Sequence, residues 1–179
     1  ETVRISKTGE IIPSPTWIQS LCTHEDAVWW ITENTLFSTH SQHGHRLPTP
    51  LRNPIAIHIV HNDLLIAESQ GLWIFHIDQE RFARYAGGPG DSKKDGPCQQ
   101  AVFQNITAIT ILNHHVFVAD AHWIRIVDTR EHTVHTLSFG CTPSHISALA
   151  FQKSTLYIAD DVDHRLWIYD LAEEHLQYH

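Results

Sequence analysis

Apolar residues in this chain fall in short runs of about five, separated by polar turn-formers, and no stretch sustains an apolar stripe at helical period. Three sets of runs align with one another. Ile55–Val60, Leu64–Glu68 and Trp73–Asp78 form the first, Ile106–Ile111, Val116–Asp120 and Trp123–Asp128 the second, and Ile146–Phe151, Leu156–Asp160 and Arg165–Asp170 the third. A weaker copy precedes them: Trp17–Cys22, Val28–Glu33 and Thr35–Thr39. A fourth run follows in the two middle copies, Arg81–Ala86 and Thr133–Ser138. Turn-prone pieces such as His61-Asn62-Asp63 and Asp128–Glu131 separate the runs.

Antiparallel four-strand units recurring about every 40 residues are the pattern of β-propeller blades. The third run of each unit is apolar on both faces, as in Trp73-Ile-Phe and Leu166-Trp-Ile-Tyr. Such a strand needs a sheet on either side, and neighbouring blades supply it. The fold expected is therefore all-β: four complete four-stranded antiparallel blades at 15–52, 53–88, 103–140 and 144–179, preceded in 1–14 by the outer half of another. Within that half blade, Thr2–Ser6 and Ile11-Ile12 read as strands and Lys7-Thr-Gly-Glu10 as their turn. The Gly-, Pro- and Asp-rich segment 89–102 reads as a long surface loop, not as a fifth set of strands.

Composition narrows the function classes. The net charge is −8 with histidine neutral, which disfavours a nucleic-acid partner. The 16 histidines would reverse that sign near pH 5 to 6 on protonation. Three cysteines without a CxxC spacing suggest neither a disulfide framework nor a zinc site, and lean towards a reducing, cytoplasmic setting. No apolar run approaches the roughly 20 residues of a membrane helix, and no signal sequence is visible. The absence of methionine suggests a fragment of a longer chain, with an intact propeller of six blades. Exposed sheet ends would then invite self-association or pairing with the remaining blades.

Several residues in the third copy carry a more specific resemblance. Ala86-Gly-Gly-Pro-Gly, Asp95-Gly96, Ala101-Val-Phe103, Val116-Phe-Val-Ala-Asp120, Ile124-Arg-Ile and Asp128 resemble one NHL repeat. Asn105-Ile-Thr departs from the family pattern where it has proline and glycine, and Ala121-His122 shortens the following turn. The order of blades is similar to the C-terminal propeller of thioredoxin-like/NHL-repeat fusion proteins. Trp29-Trp-Ile-Thr-Glu33 also resembles strands of virginiamycin-B-lyase-type propellers. The resemblance implies a non-catalytic platform for a protein partner. Its alternatives are a redox-linked accessory domain of a thioredoxin-like fusion, or a lyase with a metal in the central channel.

Candidate chemistry is sparse, and no nucleophile elbow, phosphate loop or metalloprotease motif is present. An acidic residue ends the second run of every unit: Glu33, Glu68, Asp120 and Asp160. One per unit suits a repeated structural role, each carboxylate accepting backbone N–H groups of the turn that follows, rather than a calcium rim. His40, His43 and His45 read as a solvated turn. His114 and His115 are adjacent and so are expected to point to opposite faces, unable to chelate together. The sequon Asn105-Ile-Thr107 is read as chance. The loop 89–102 offers Asp91, Lys93, Lys94, Asp95 and Cys98 as partner-binding residues; the two lysines are placed to lower the Cys98 pKa for a redox role, against which a lone surface cysteine reads as inert. No catalytic residue, cofactor or stoichiometric metal is expected.

Overall fold

The computed structural model describes residues 2–4, 11–13, 17–41, 43–49, 51, 53–88, 90–139 and 142–178. Nineteen short strands make up almost all of its regular structure, and among the described residues the only helix is a single 3₁₀ turn, Ile77–Gln79. The strands form four antiparallel blade-like sheets and one short hairpin.

The hairpin pairs β1 (Thr2–Arg4) with β2 (Ile11–Pro13); the expected turn at 7–10 lies outside the described residues. The first sheet takes β3 (Ser20–His24), β4 (Ala27–Ile31), β5 (Thr35–Ser38) and β6 (His45–Arg46) in sequence order. The second takes β7 (Ala56–Val60), β8 (Asp63–Glu68), β9 (Gly71–His76) and β10 (Arg81–Ala86). The third contains β12 (Ile106–Leu112), β13 (His115–Asp120), β14 (Trp123–Asp128) and β15 (Thr133–Leu137), and the fourth β16 (Ile146–Gln152), β17 (Thr155–Asp160), β18 (Arg165–Asp170) and β19 (His175–Tyr178). The loop 89–102 contributes β11 (Gly96–Pro97), which pairs with β15 and gives the third sheet a fifth strand. Pro97 lacks an amide hydrogen, and a two-residue edge strand is where a sheet tolerates it.

The repeat extends to the turns. First and second strands are joined in every sheet by two residues, and the first of these has positive φ: Glu25, His61, Asn113 and Lys153, at 50–60°. Two-residue hairpins need this left-handed geometry to match strand twist.

The chain divides into two compact units, residues 1–68 with 73–83, and residues 69–72 with 84–179. In the first, Trp29, Ile31 and Leu36 pack with Ile57, Leu64, Ile66, Trp73 and Phe75. In the second, Phe117, Ala119 and Ile124 pack with Ile146, Leu156, Ile158, Trp167 and Tyr169. Strand β9 is buried on both faces. Strand β18 is not: Trp167 and Tyr169 are buried, whereas Leu166 on the opposite face is 41% exposed.

Candidate functional site

The expected loop site is built around a residue that its sequence position on β14 conceals. Arg125 is fully buried. Its guanidinium donates to Asp120 Oδ2 at 2.8 Å, to the Val102 carbonyl at 3.0 Å, to the Lys94 carbonyl at 2.8 Å and to Asp95 Oδ1 at 2.7 Å. It also lies 5.0 Å from the Phe103 ring centroid. Asp120 is itself fully buried, so the pair is an internal salt bridge in which each charge requires the other.

Asp95 completes the clamp. Its carboxylate accepts the Thr136 amide at 3.0 Å and the Thr136 hydroxyl at 2.9 Å as well as Arg125. Partial burial opposes its ionisation, but the bonds from Thr136 and Arg125 outweigh that and hold its pKa below the usual carboxylate value. Gly96, at φ +127°, lets the chain turn immediately after Asp95 in a conformation that side chains rarely adopt. The loop is closed on itself by the Lys94–Val102 bridge and tied to the third sheet at Asp95 and at β11.

This tie redistributes the five loop candidates. Lys93 Nζ donates to Thr136 Oγ1 at 2.9 Å and sits 5.3 Å from the Trp123 ring. Lys94 serves through its backbone while its side chain is exposed, as is that of Asp91. Cys98 is only 4% exposed, its amide donating to the His132 carbonyl at 2.8 Å. Burial, helped by the negative charge of Asp128, pushes its thiol up to about 11. The expected lowering by Lys93 and Lys94 is therefore reversed, because desolvation of the thiolate dominates.

The four acidic strand ends divide in role. Asp120 Oδ1 accepts the amides of Gln104 and Asn105 at 2.7 and 2.8 Å, latching the chain just before β12. Asp160 does the same before β16 through Ser144 and His145, and adds Val162 and Asp163 of the following turn. Burial opposes ionisation of Asp160, yet these amides hold its pKa below normal. Glu68 accepts the Trp73 indole N–H at 3.3 Å. The expectation of turn amides is met at Asp160 through Val162 and Asp163; at Asp120 the amides come from the segment entering the sheet. Glu33 departs from the set altogether. It is exposed and lines an open cavity of about 790 Å³ with Asn34, Arg46, Leu47, Pro48, Thr49, Leu51 and Asn53.

The histidine reading is corrected too. His114 and His115 are not on opposite faces: their ring centroids are 4.0 Å apart, and both Nε2 atoms face Asp128 Oδ2, at 4.0 and 3.3 Å. His114 is the second residue of the two-residue turn, so strand alternation does not govern it.

No family model and no curated protein sequence matches the chain. Solved structures do. A streptogramin B lyase is similar with a TM-score of 0.70 at 14% identity, covering 100% of this chain and 57% of its own. The WD40 repeats of RRP9 give 0.65 at 12% identity, covering 93% of this chain and 52% of theirs. The computationally designed Ika4 protein gives 0.62 at 14% identity, covering 88% of this chain and 93% of its own. The fold is that of a β-propeller. At these identities the likeness concerns fold alone, and the chain spans about half the length of the natural propellers named here. Within this propeller fold, the recurring Asp120 and Asp160, together with Arg125 and Asp95 of the third sheet, are engaged in holding connecting segments to blades.

Proposed function

We propose that this chain is a non-catalytic interaction platform of NHL type that binds a protein partner. The observation that supports this is a repeated sheet face that is covered in one blade and uncovered in the next. In the third sheet Ala108, Ala119 and Ile124 lie in register, as do Phe117 and Ile126, and all five pack into the core shared with the fourth sheet. The same positions of the fourth sheet hold Ala148, Ala159 and Leu166, with Ala150, Tyr157 and Ile168 beside them. There Ala148, Ala150 and Leu166 are exposed and the others half-buried.

A face with the small-residue profile of a blade-to-blade contact fits another β-sheet, whether a further blade, a second copy of this chain or a sheet supplied by a partner polypeptide. Burying it would stabilise the complex by about 25 cal/mol per Å² of apolar area. Of the five loop candidates, Asp91, Lys94 and Asp95 are exposed, and Asp95 is already bonded to Arg125 and Thr136. The redox-linked alternative draws on resemblance alone, and a buried Cys98 with a pKa near 11 suits it poorly.

Sedimentation velocity on the 179-residue chain and a Leu166→Glu variant tests the reading. The wild-type chain is expected to associate with rising concentration, using its own sheet as the available partner. The charged variant is expected to remain monomeric with an unchanged thermal transition. A wild-type chain that stays monomeric at all concentrations and binds no apolar dye would remove the support.

A further inference from the structure

The turn that overturned the histidine expectation places three metal-ligand side chains together. His114 Nε2, His115 Nε2 and an Asp128 carboxylate oxygen all lie within 4.8 Å of one another. They come from two places: the turn between β12 and β13, and the end of β14. Register explains the meeting, since His115 pairs directly with Asp128 across the two strands.

We propose that His114, His115 and Asp128 form a binding site for one divalent transition-metal ion of the zinc class. Bonds of about 2.0–2.1 Å place neighbouring ligands of a tetrahedral ion roughly 3.3–3.4 Å apart. His115 Nε2 and Asp128 Oδ2 already stand at 3.3 Å, and His114 Nε2 at 4.0 Å needs a side-chain adjustment of under ~1 Å. Two imidazoles with one carboxylate select a borderline ion; magnesium and calcium favour all-oxygen sets.

The surroundings orient this set. Asp128 Oδ1 is occupied by the amides of Arg130 and Glu131, at 2.8 and 3.0 Å, which leaves Oδ2 turned to the imidazoles. The His114 carbonyl accepts both the amide and the hydroxyl of Thr129, at 2.9 and 2.8 Å, fixing the turn to the end of β14. Such supporting bonds hold ligands in place in known metal sites. Side-chain exposures of 28%, 37% and 18% leave the fourth position open to water.

The second sheet supplies an internal contrast. There Asp63 opens the second strand and His76 ends the third, the reverse assignment of the same two positions. That pair closes directly at 2.8 Å, a simple hydrogen bond. In the third sheet the pair is wider, and the turn residue before it adds a second imidazole.

The test uses the full chain, Zn²⁺ in competition with a chromogenic chelator, and the visible spectrum of the Co²⁺ form. One equivalent of Zn²⁺ is expected to bind, with a Co²⁺ spectrum showing nitrogen and oxygen ligands. His114→Gln and His115→Gln should each weaken binding at least tenfold, as should Asp128→Asn, which retains an acceptor for the two amides. His43→Gln, in a separate turn, should not. Binding that is unchanged in His114→Gln and His115→Gln, or that is spread over several weak sites, would overturn the proposal. Because the turn is held by the His114 carbonyl rather than by its imidazole, His114→Gln alone decides the matter if another variant fails to fold.

Discussion

Replacing Arg125 by Met removes the guanidinium but keeps much of its apolar stem. Four hydrogen bonds disappear, and the fully buried Asp120 loses its counter-charge while retaining the amides of Gln104 and Asn105. Breaking a buried ion pair from one side costs about 3–5 kcal/mol, because the remaining charge stays desolvated. Loss of the two loop carbonyl contacts and of the Asp95 bond falls within that range rather than adding to it, since Asp95 keeps Thr136 and the Lys94 carbonyl keeps the Val102 amide. A chain of this size shifts by roughly 2–4 °C per kcal/mol, so Tm should fall by roughly 6–20 °C. Urea unfolding measures the free energy, and hydrogen exchange across 90–103 reads the loop. The double variant Asp120→Asn with Arg125→Met should recover about 1–3 kcal/mol relative to the sum of the singles, because no uncompensated charge remains. A single variant within about 1 kcal/mol of wild type, with loop exchange unchanged, would refute the view that Arg125 holds this loop to the blade.

Three further outcomes are expected. Asp160 and Asp95 have depressed folded pKa values, so in acid the unfolded chain takes up protons first; their stabilisation is complete above the unfolded carboxylate value near 4 and is lost as pH falls through the lower folded values. Asp160→Asn should flatten the fall of Tm below about pH 4, and an unaltered acid slope would contradict this. Cys98 should resist alkylation at pH 8 until the chain unfolds, as mapped by peptide mass spectrometry, since burial raises its thiol to about 11; rapid native labelling at Cys98 would show that the loop opens. Gly87→Ala should destabilise the chain by at least about 1 kcal/mol in urea unfolding, because φ is +99° and a Cβ would stand 2.7 Å from the Gln70 carbonyl oxygen; a neutral result would mean this turn can relax.

The blades were legible because each strand writes its environment into the sequence: runs such as Leu64–Ala67 and Val116–Ala119 are buried from end to end and bounded by turn residues. The loop 89–102 was read as surface because its composition is that of a surface. Its attachment depends on Arg125, some 30 residues away, and composition cannot express a pairing at that distance. A signal was present. A charged residue in the middle of β14, flanked by Ile124 and Ile126 in a strand that is otherwise largely apolar, must be either exposed or compensated. Asp120 and Asp95-Gly96 were the residues able to compensate it.

The two misread clusters fail for opposite reasons. Lys93, Lys94 and Cys98 are close in sequence, but Lys93 turns to Thr136 and Trp123 while Cys98 enters the interior beside the His132 backbone. Strand alternation would separate His114 from His115, but it does not extend to His114. Alternation holds for residues that pair in a ladder, and the last pair of the β12–β13 ladder is Leu112 with His115. Asn113 and His114 lie beyond it, and positive φ at Asn113 swings the chain round so that His114 returns over the face His115 occupies. The third ligand, Asp128, then follows from the register of β13 on β14, in which residue 115 meets residue 128. Hairpin length and ladder register therefore decide whether neighbouring histidines can share an ion. In this chain the repeated two-residue turn brings two imidazoles to one carboxylate in the third sheet, whereas the second sheet, with His61 and Asn62 in that turn, leaves the single pair Asp63–His76.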